Sequence, residues 1–235
     1  MTIRALSCAA ATAVAIATAA LTACTTEQYD AGDGKYSYLR SDFAEVTTDG
    51  QARMSSFVTD ESQTWHAAGT PRVSWMTKSD TTYRALVYYA TPSPQQHSDT
   101  AAEPVKVYSA RNVLCPDIKS WHIGTSLKTD PVTPVALWLS SNRKYLNMSF
   151  DLKTGNSGSE TEAQSIGAVL TETTRNADGT LTAHITFCHD QANVPQYYSV
   201  RQYASLAVAQ MHDADSAAIK INSYNGKVVK TICLK

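Results

Sequence analysis

The chain reads as an all-β protein, with an N-terminal OB-like small barrel followed by a C-terminal β-sandwich. Three observations predict this class. Apolar and polar residues alternate with period two in several segments, as half-buried strands require. Turn dipeptides such as Asp49-Gly50, Asp178-Gly179 and Asn225-Gly226 punctuate those segments. Helical periodicity is scarce, and the best of it, within Ala204–Ala218, runs out of a strand-like segment.

Five strands are expected in the first half, over Tyr36–Thr48, Ala52–Thr59, Arg72–Thr77, Thr82–Tyr89 and Val105–Leu114. So many short strands in so little chain suit a small barrel. The Pro-bearing stretch after Thr91 reads as a long loop between strands. A second Pro-bearing stretch, from Cys115-Pro116 to Pro134, separates the halves, with the boundary near Asp117. About seven strands are expected beyond it, spaced as in a sandwich. In Lys144–Lys153, Leu146, Met148, Phe150 and Leu152 share one face, and Tyr145, Asn147, Ser149 and Asp151 share the other. In Thr180–Cys188, Leu181, Ala183, Ile185 and Phe187 form the apolar face. Tyr197–Leu206 reads as a strand, with one helical turn expected near His212–Ser216. Ala217–Tyr224 and Lys227–Leu234 are joined by Asn225-Gly226, which suits a type I′ hairpin turn.

Ahead of these elements, Arg4 and an uncharged run rich in Ala and Thr lead to Leu21-Thr22-Ala23-Cys24. The run is about long enough to span a bilayer, but its few bulky aliphatics would hold a permanent helix weakly. A positive start, a modest apolar run and small residues at the end read as a signal peptide. The tetrad resembles the lipobox of bacterial lipoproteins, in which the cysteine becomes the first mature residue and carries the lipid. That resemblance makes residues 1–23 a signal peptide and Cys24 the lipidation site. Residues 24–34 then read as a flexible tether, 35–117 as the OB-like barrel and 118–235 as the β-sandwich. The implied location is the bacterial cell envelope, membrane-anchored through the lipid on Cys24. It leaves open the periplasmic face of the outer membrane or the cell surface.

Formal charge is −1 over 235 residues, and basic residues do not cluster. Nucleic acid is therefore not an expected partner, since its phosphates attract a basic patch. Cys115, Cys188 and Cys233 remain besides Cys24 in the mature chain, an odd number in a compartment that permits disulfides. Cys188 with Cys233 is the best candidate pair, and no obligatory disulfide is favoured.

No catalytic constellation, cofactor motif or metal-ligand spacing stands out, so the chain is expected to be non-enzymatic, with no cofactor and no metal. Gly155-Asn-Ser-Gly158 superficially resembles the loop around a serine nucleophile, but reads better as a turn between strands. His184 and Cys188 lie four apart on one strand, about 13 Å by the strand rise, too far to share an ion. His189 faces the other way and reads as an exposed loop edge. Asp213-Ala-Asp215 and Asp30 to Gly34 lack the length of a calcium loop and read as solvated turns. The chain carries 12 Tyr and 4 Trp, enough for a stacking or anchoring surface without singling one out.

Several stretches together resemble a known family. Tyr36-Ser-Tyr-Leu-Arg40 follows soon after Cys24, and Thr82-Thr-Tyr-Arg-Ala-Leu-Val-Tyr-Tyr89 comes next. Later come Trp138-Leu-Ser-Ser-Asn-Arg-Lys-Tyr-Leu-Asn147, then His189-Asp190 through Pro195-Gln-Tyr-Tyr-Ser-Val-Arg201. They look like the NigD-like lipoproteins of Bacteroidetes over nearly all of the mature chain. The resemblance implies an OB-like domain, a C-terminal sandwich and an immunity-type or accessory role in binding a protein or other macromolecule. A surface glycan-binding accessory is the alternative expectation, and an unrecognised hydrolase the third.

Overall fold

Thirteen strands and one short 3-10 turn form three sheets in the computed structural model, which describes residues 39–91, 104–156 and 163–235. Cys24, the tether and the earlier part of the chain lie outside the described residues. Leu39–Lys235 form one compact unit.

The first sheet holds β1 (Leu39–Thr48), β2 (Met54–Thr59), β3 (Thr64–His66), β4 (Thr82–Ala90) and β5 (Lys106–Asn112), in the order β3-β2-β1-β4-β5. All its neighbours are antiparallel. Its two edges meet: Ala67 bridges Val105 in parallel, with Val105 N donating to His66 O at 2.8 Å and Ala68 N to Val105 O at 2.9 Å. The sheet thereby curls around a core that includes Val46, Met54, Phe57, Val87, Tyr89 and Val105. The Phe57 and Tyr89 rings meet edge to face at 4.9 Å.

The third strand is not where alternation suggested. Arg72–Thr77 is irregular, and Thr64–His66 takes the place beside β2. The apolar residues of 72–77 instead form a plug. Met76 is buried, its N–H turns back to Val73 O, and Trp75 Nε1 donates to Ala110 O at 3.1 Å. Apolar spacing reports contact with the core, and a folded-back plug makes that contact without a ladder: Val73 and Trp75 are partly buried beside buried Met76.

The second half contributes β6 (Ile118–Ser120), β7 (Thr133–Leu139), β8 (Tyr145–Thr154), β9 (Ser165–Arg175), β10 (Leu181–Asp190), β11 (Tyr198–Ala207), β12 (Ser216–Ser223) and β13 (Gly226–Cys233). They form sheets β13-β12-β10-β9-β6 and β11-β8-β7. Leu146, Met148 and Phe150 of β8 face Ile185 and Phe187 of β10 and Ile219 and Ile221 of β12 across one core. The helical turn falls at Val208–Met211, earlier than expected, where it seats Met211 in that core.

Two hairpin details also differ from expectation. The β12–β13 loop residues are Tyr224 and Asn225, and Gly226 (φ 110°) takes the positive φ. The two loop residues lack the positive φ of a type I′ turn, so the hairpin is not of that type. At the Asp49 turn the positive φ falls on Ala52 (55°), while Asp49 Oδ1 accepts from Gln51 N at 2.8 Å and Arg53 N at 2.9 Å.

The three-stranded sheet is covered on both sides. Its second face packs on the first half, so Asn147 and Ser149 are buried where simple alternation would leave them wet. Leu114, in the connection between halves, bridges Ala204 of β11 and ties the connection to that sheet.

Candidate binding surfaces

The polar residues most deeply fixed by the fold lie between the first half and the β11-β8-β7 sheet. Arg84, in the apolar run of β4, is 6% exposed. Its Nη2 donates to Asp60 Oδ2 at 2.8 Å and Asn147 Oδ1 at 3.1 Å, and its Nε to Ser205 Oγ at 3.1 Å. Asn147 Nδ2 returns to Asp60 Oδ2 at 2.8 Å, and Ser205 Oγ donates to Asn147 Oδ1 at 2.7 Å. The guanidinium also lies 4.1 Å from the centroid of the Tyr145 ring, a cation–π contact strengthened by exclusion of water. Nη1 has no hydrogen-bond partner and Asp60 Oδ1, though 2.7 Å from Nη2, lacks hydrogen-bond geometry.

Beside this network, Glu45 accepts from Tyr145 Oη and Lys144 Nζ, each at 2.8 Å. Burial pushes the Glu45 carboxyl up, but those two hydrogen bonds outweigh it and hold the group below its ordinary value. The Tyr145 hydroxyl is pushed up by burial and then by Glu45. These groups fix how the halves meet: Glu45 bonds Lys144 and Tyr145 across the junction, and the Arg84–Asp60 pair, itself within the first half, reaches across to Asn147 and Ser205. Sequence reasoning passed over all of them. The available signal was an arginine within Tyr83–Val87 and an asparagine on a strand whose neighbours are apolar.

The candidate chemistry of the sequence is not assembled into a centre. Among the described residues no group of three or more His, Cys, Asp or Glu could hold a metal ion. His184 Nε2 pairs with Thr174 Oγ1 at 2.9 Å on the outer sheet face. Cys188 and Cys233 cannot bridge as placed. Cys233 pairs with Ser216, and Ser216 with Thr182, six residues along β10 from Cys188, about 20 Å by strand rise. Asp215 is not a solvated turn residue: it accepts from Leu181 N and Lys235 Nζ, each at 2.8 Å, and these hold its carboxyl below the ordinary range. Gly155 and Asn156 are described, while Ser157, Gly158, His97 and Asp30 to Gly34 lie outside the described residues.

His189 departs furthest from its expected place. It is 1% exposed, because residues 128–130 run over it as a strap. Its Nδ1 sits 3.2 Å from Asp130 O and its Nε2 3.2 Å from Gln164 Oε1. Desolvation lowers its pKa, against smaller opposing contributions from the Asp130 carbonyl and charge. The unfolded chain therefore takes up the proton first as pH falls. Stability that is fully present above about pH 6.5 declines below it until the folded-state imidazole is also protonated. We expect the thermal midpoint to fall between pH 7 and pH 5.5 in the parent chain and to change less in His189→Gln, as scanning calorimetry would show.

Two surface features remain. An open cavity of about 850 Å³ lies between β5, the connection between the halves and the β8, β9 and β11 strands, with Arg111, Cys115, Gln164, Ser165 and Gln202 among its lining. No Asp, Glu or His is among its described lining residues, so Ser165 and Cys115 have no side-chain base there.

The second feature is aromatic. Tyr197, Tyr198 and Tyr224 are 78%, 58% and 37% exposed. Lys153 Nζ lies 4.3 Å from the centroid of the Tyr224 ring, and Tyr224 Oη reaches Gln196 Oε1 at 3.4 Å. Gly155 makes room for this end: a Cβ there would stand 2.7 Å from Tyr197 Cδ2 and 3.1 Å from the Pro195 carbonyl oxygen. Other strand tyrosines are less exposed. Tyr89 is buried with its hydroxyl donating to Asp42 Oδ2 at 2.7 Å, and Tyr83 Oη accepts from Lys78 N at 2.7 Å.

Architecture and surface together define an all-β protein whose C-terminal sandwich presents side chains at its loops and outer face. A family model for the NigD-like C-terminal beta sandwich domain matches residues 117–234. The chain belongs to the NigD-like family. It is similar to a NigD-like immunity protein from Bacteroides caccae at 20% identity and TM-score 0.59, covering 82% of this chain and 91% of that one. A toxin-related protein from Parabacteroides distasonis is similar at 18% identity and TM-score 0.59, covering 83% and 92%. A candidate lipoprotein of Bacteroides fragilis is similar at 11% identity and TM-score 0.62, covering 84% and 98%. At these identities the likeness is one of fold. The search of curated proteins gave no match.

Proposed function

We propose that this chain is a non-enzymatic, lipid-anchored protein of the bacterial cell envelope that binds a protein partner through the tyrosine-bearing end of its sandwich. The observation that carries the reading is the exposure of Tyr197, Tyr198 and Tyr224, the last of them braced by Gln196 and Lys153. Tyrosine gives a large amphipathic contact area with few rotors, which is why it dominates binding hot spots. An immunity-type or accessory role is one instance, supported by the fold shared with the immunity protein of Bacteroides caccae.

The anchor rests on Leu21-Thr22-Ala23-Cys24, and the neighbour described as a lipoprotein is compatible with it. Two acyl chains hold a protein at a bilayer stably where one does not, at about 0.8 kcal/mol per buried methylene. Residues 24–34 act as the tether, 35–117 as an OB-like barrel and 118–235 as the sandwich. The edge-to-edge bridge at Ala67 and Val105 supports the barrel, and the start of the family match supports the division at Asp117. Metabolic labelling with a palmitate analogue tests the anchor. The parent chain should take up label and Cys24→Ser should not; label on the serine variant, or none on the parent, would remove it.

A further inference from the structure

The outer face of the β13-β12-β10-β9-β6 sheet carries a second, separate feature. A cleft of about 300 Å³ is lined by Trp121, Thr171, Thr186, Lys220, Asn222 and Lys227. Trp121 forms one wall and is 41% exposed. It is carried by the segment that follows β6 and later becomes the strap over His189, and that segment is pinned at both ends. Trp121 N donates to Leu170 O at 3.0 Å, and Asn222 Nδ2 donates to Thr129 O at 2.7 Å. Thr129 also bridges His189. The backbone that carries the indole is thus held against the sheet before any ligand arrives, which lowers the ordering cost of binding.

Charge decides what the cleft would take. Among the described residues the ion pairs join Arg40 to Asp42 and Glu61, Arg84 to Asp60, Lys144 to Glu45, Arg201 to Asp151 and Lys235 to Asp215. None engages Lys220 or Lys227. No carboxylate lines the cleft itself. The adjoining depression shares Thr171, Thr186 and Lys220 and includes Glu172 and His184. Two ammonium groups outside any ion pair, beside an aromatic wall, favour an anion that also has a flat apolar face. The cleft is at the small end of ligand sites and sits on a sheet face. Extended peptides instead pair with a sheet edge.

We propose that this cleft binds an acidic saccharide. A sugar ring would stack on Trp121, its carboxylate would lie toward Lys220 and Lys227, and its hydroxyls would meet the threonines and Asn222. The site is separate from the tyrosine-bearing end, so the two readings stand or fall apart.

Isothermal titration of the purified full chain with a galacturonic acid hexamer, and with its fully methyl-esterified counterpart, tests the proposal. The acid should bind, and the neutral ester should bind roughly tenfold more weakly or less. Trp121→Ala and the exposed-site double variant Lys220→Gln/Lys227→Gln should each cost a similar factor at unchanged thermal midpoint. Inorganic sulfate at matched charge should not displace the acid, and Tyr197→Ala/Tyr198→Ala should leave it bound. The proposal is overturned by no binding of the acid to the folded chain or by equal binding of the ester. Unaltered affinity in the lysine variant, which should fold even if the tryptophan variant does not, or full displacement by sulfate overturns it equally.

Discussion

Arg84→Ala should destabilise the protein by about 3–5 kcal/mol, the cost of breaking a buried charge pair by removing one partner. The guanidinium is nearly sealed from water and holds Asp60, Asn147 and Ser205 from three different chain segments. Its removal leaves the Asp60 carboxylate with a single side-chain donor, Asn147 Nδ2. The cost is thus mainly that of an uncompensated anion, not of lost attraction. Arg84→Met/Asp60→Leu should therefore recover part of the loss, because no charge is left buried and Ser205 Oγ still donates to Asn147 Oδ1, although Asn147 Nδ2 loses its Asp60 acceptor. Urea denaturation of Arg84→Met, Asp60→Leu and the double variant would measure the coupling. Additive losses would mean that the pair does not act as a unit.

Phe150→Ala should cost a comparable amount, about 3–5 kcal/mol. Phe150 is fully buried and meets Phe187 edge to face at 5.1 Å, joining the two sheets of the sandwich. Its strand is sealed on the opposite face by the first half, so the layer has little freedom to collapse into the space left behind. Urea midpoints followed by tryptophan fluorescence would record the loss. A loss near 1 kcal/mol would mean that the sheets move together to fill the space.

What the sequence made legible follows from how local each signal is. The apolar faces of β8 and β10 were readable because alternation is written within ten residues: Leu146, Met148, Phe150 and Leu152 all lie in the core. The opposite face of β8 was not, since Asn147 and Ser149 are covered by strands 60 and more residues earlier in the chain. Asn147 then satisfies Arg84 and Asp60, contacts with no local signature. Arg72–Thr77 misled because Val73, Trp75 and Met76 pack on the core without a ladder. His189 misled because the strap that covers it comes from residues 128–130. The tyrosine end could be suspected but not chosen: Tyr89 and Tyr197 are alike in sequence, and only packing separates the buried one from the exposed one.

Photo-cross-linking in intact cells tests the proposed role most directly, with the photoreactive residue placed at position 197. The account predicts a discrete protein adduct from that position, lost when Tyr198 and Tyr224 are changed to alanine, and no matching adduct from Lys230 on β13. No adduct from position 197, or the same adduct from both positions, would contradict it.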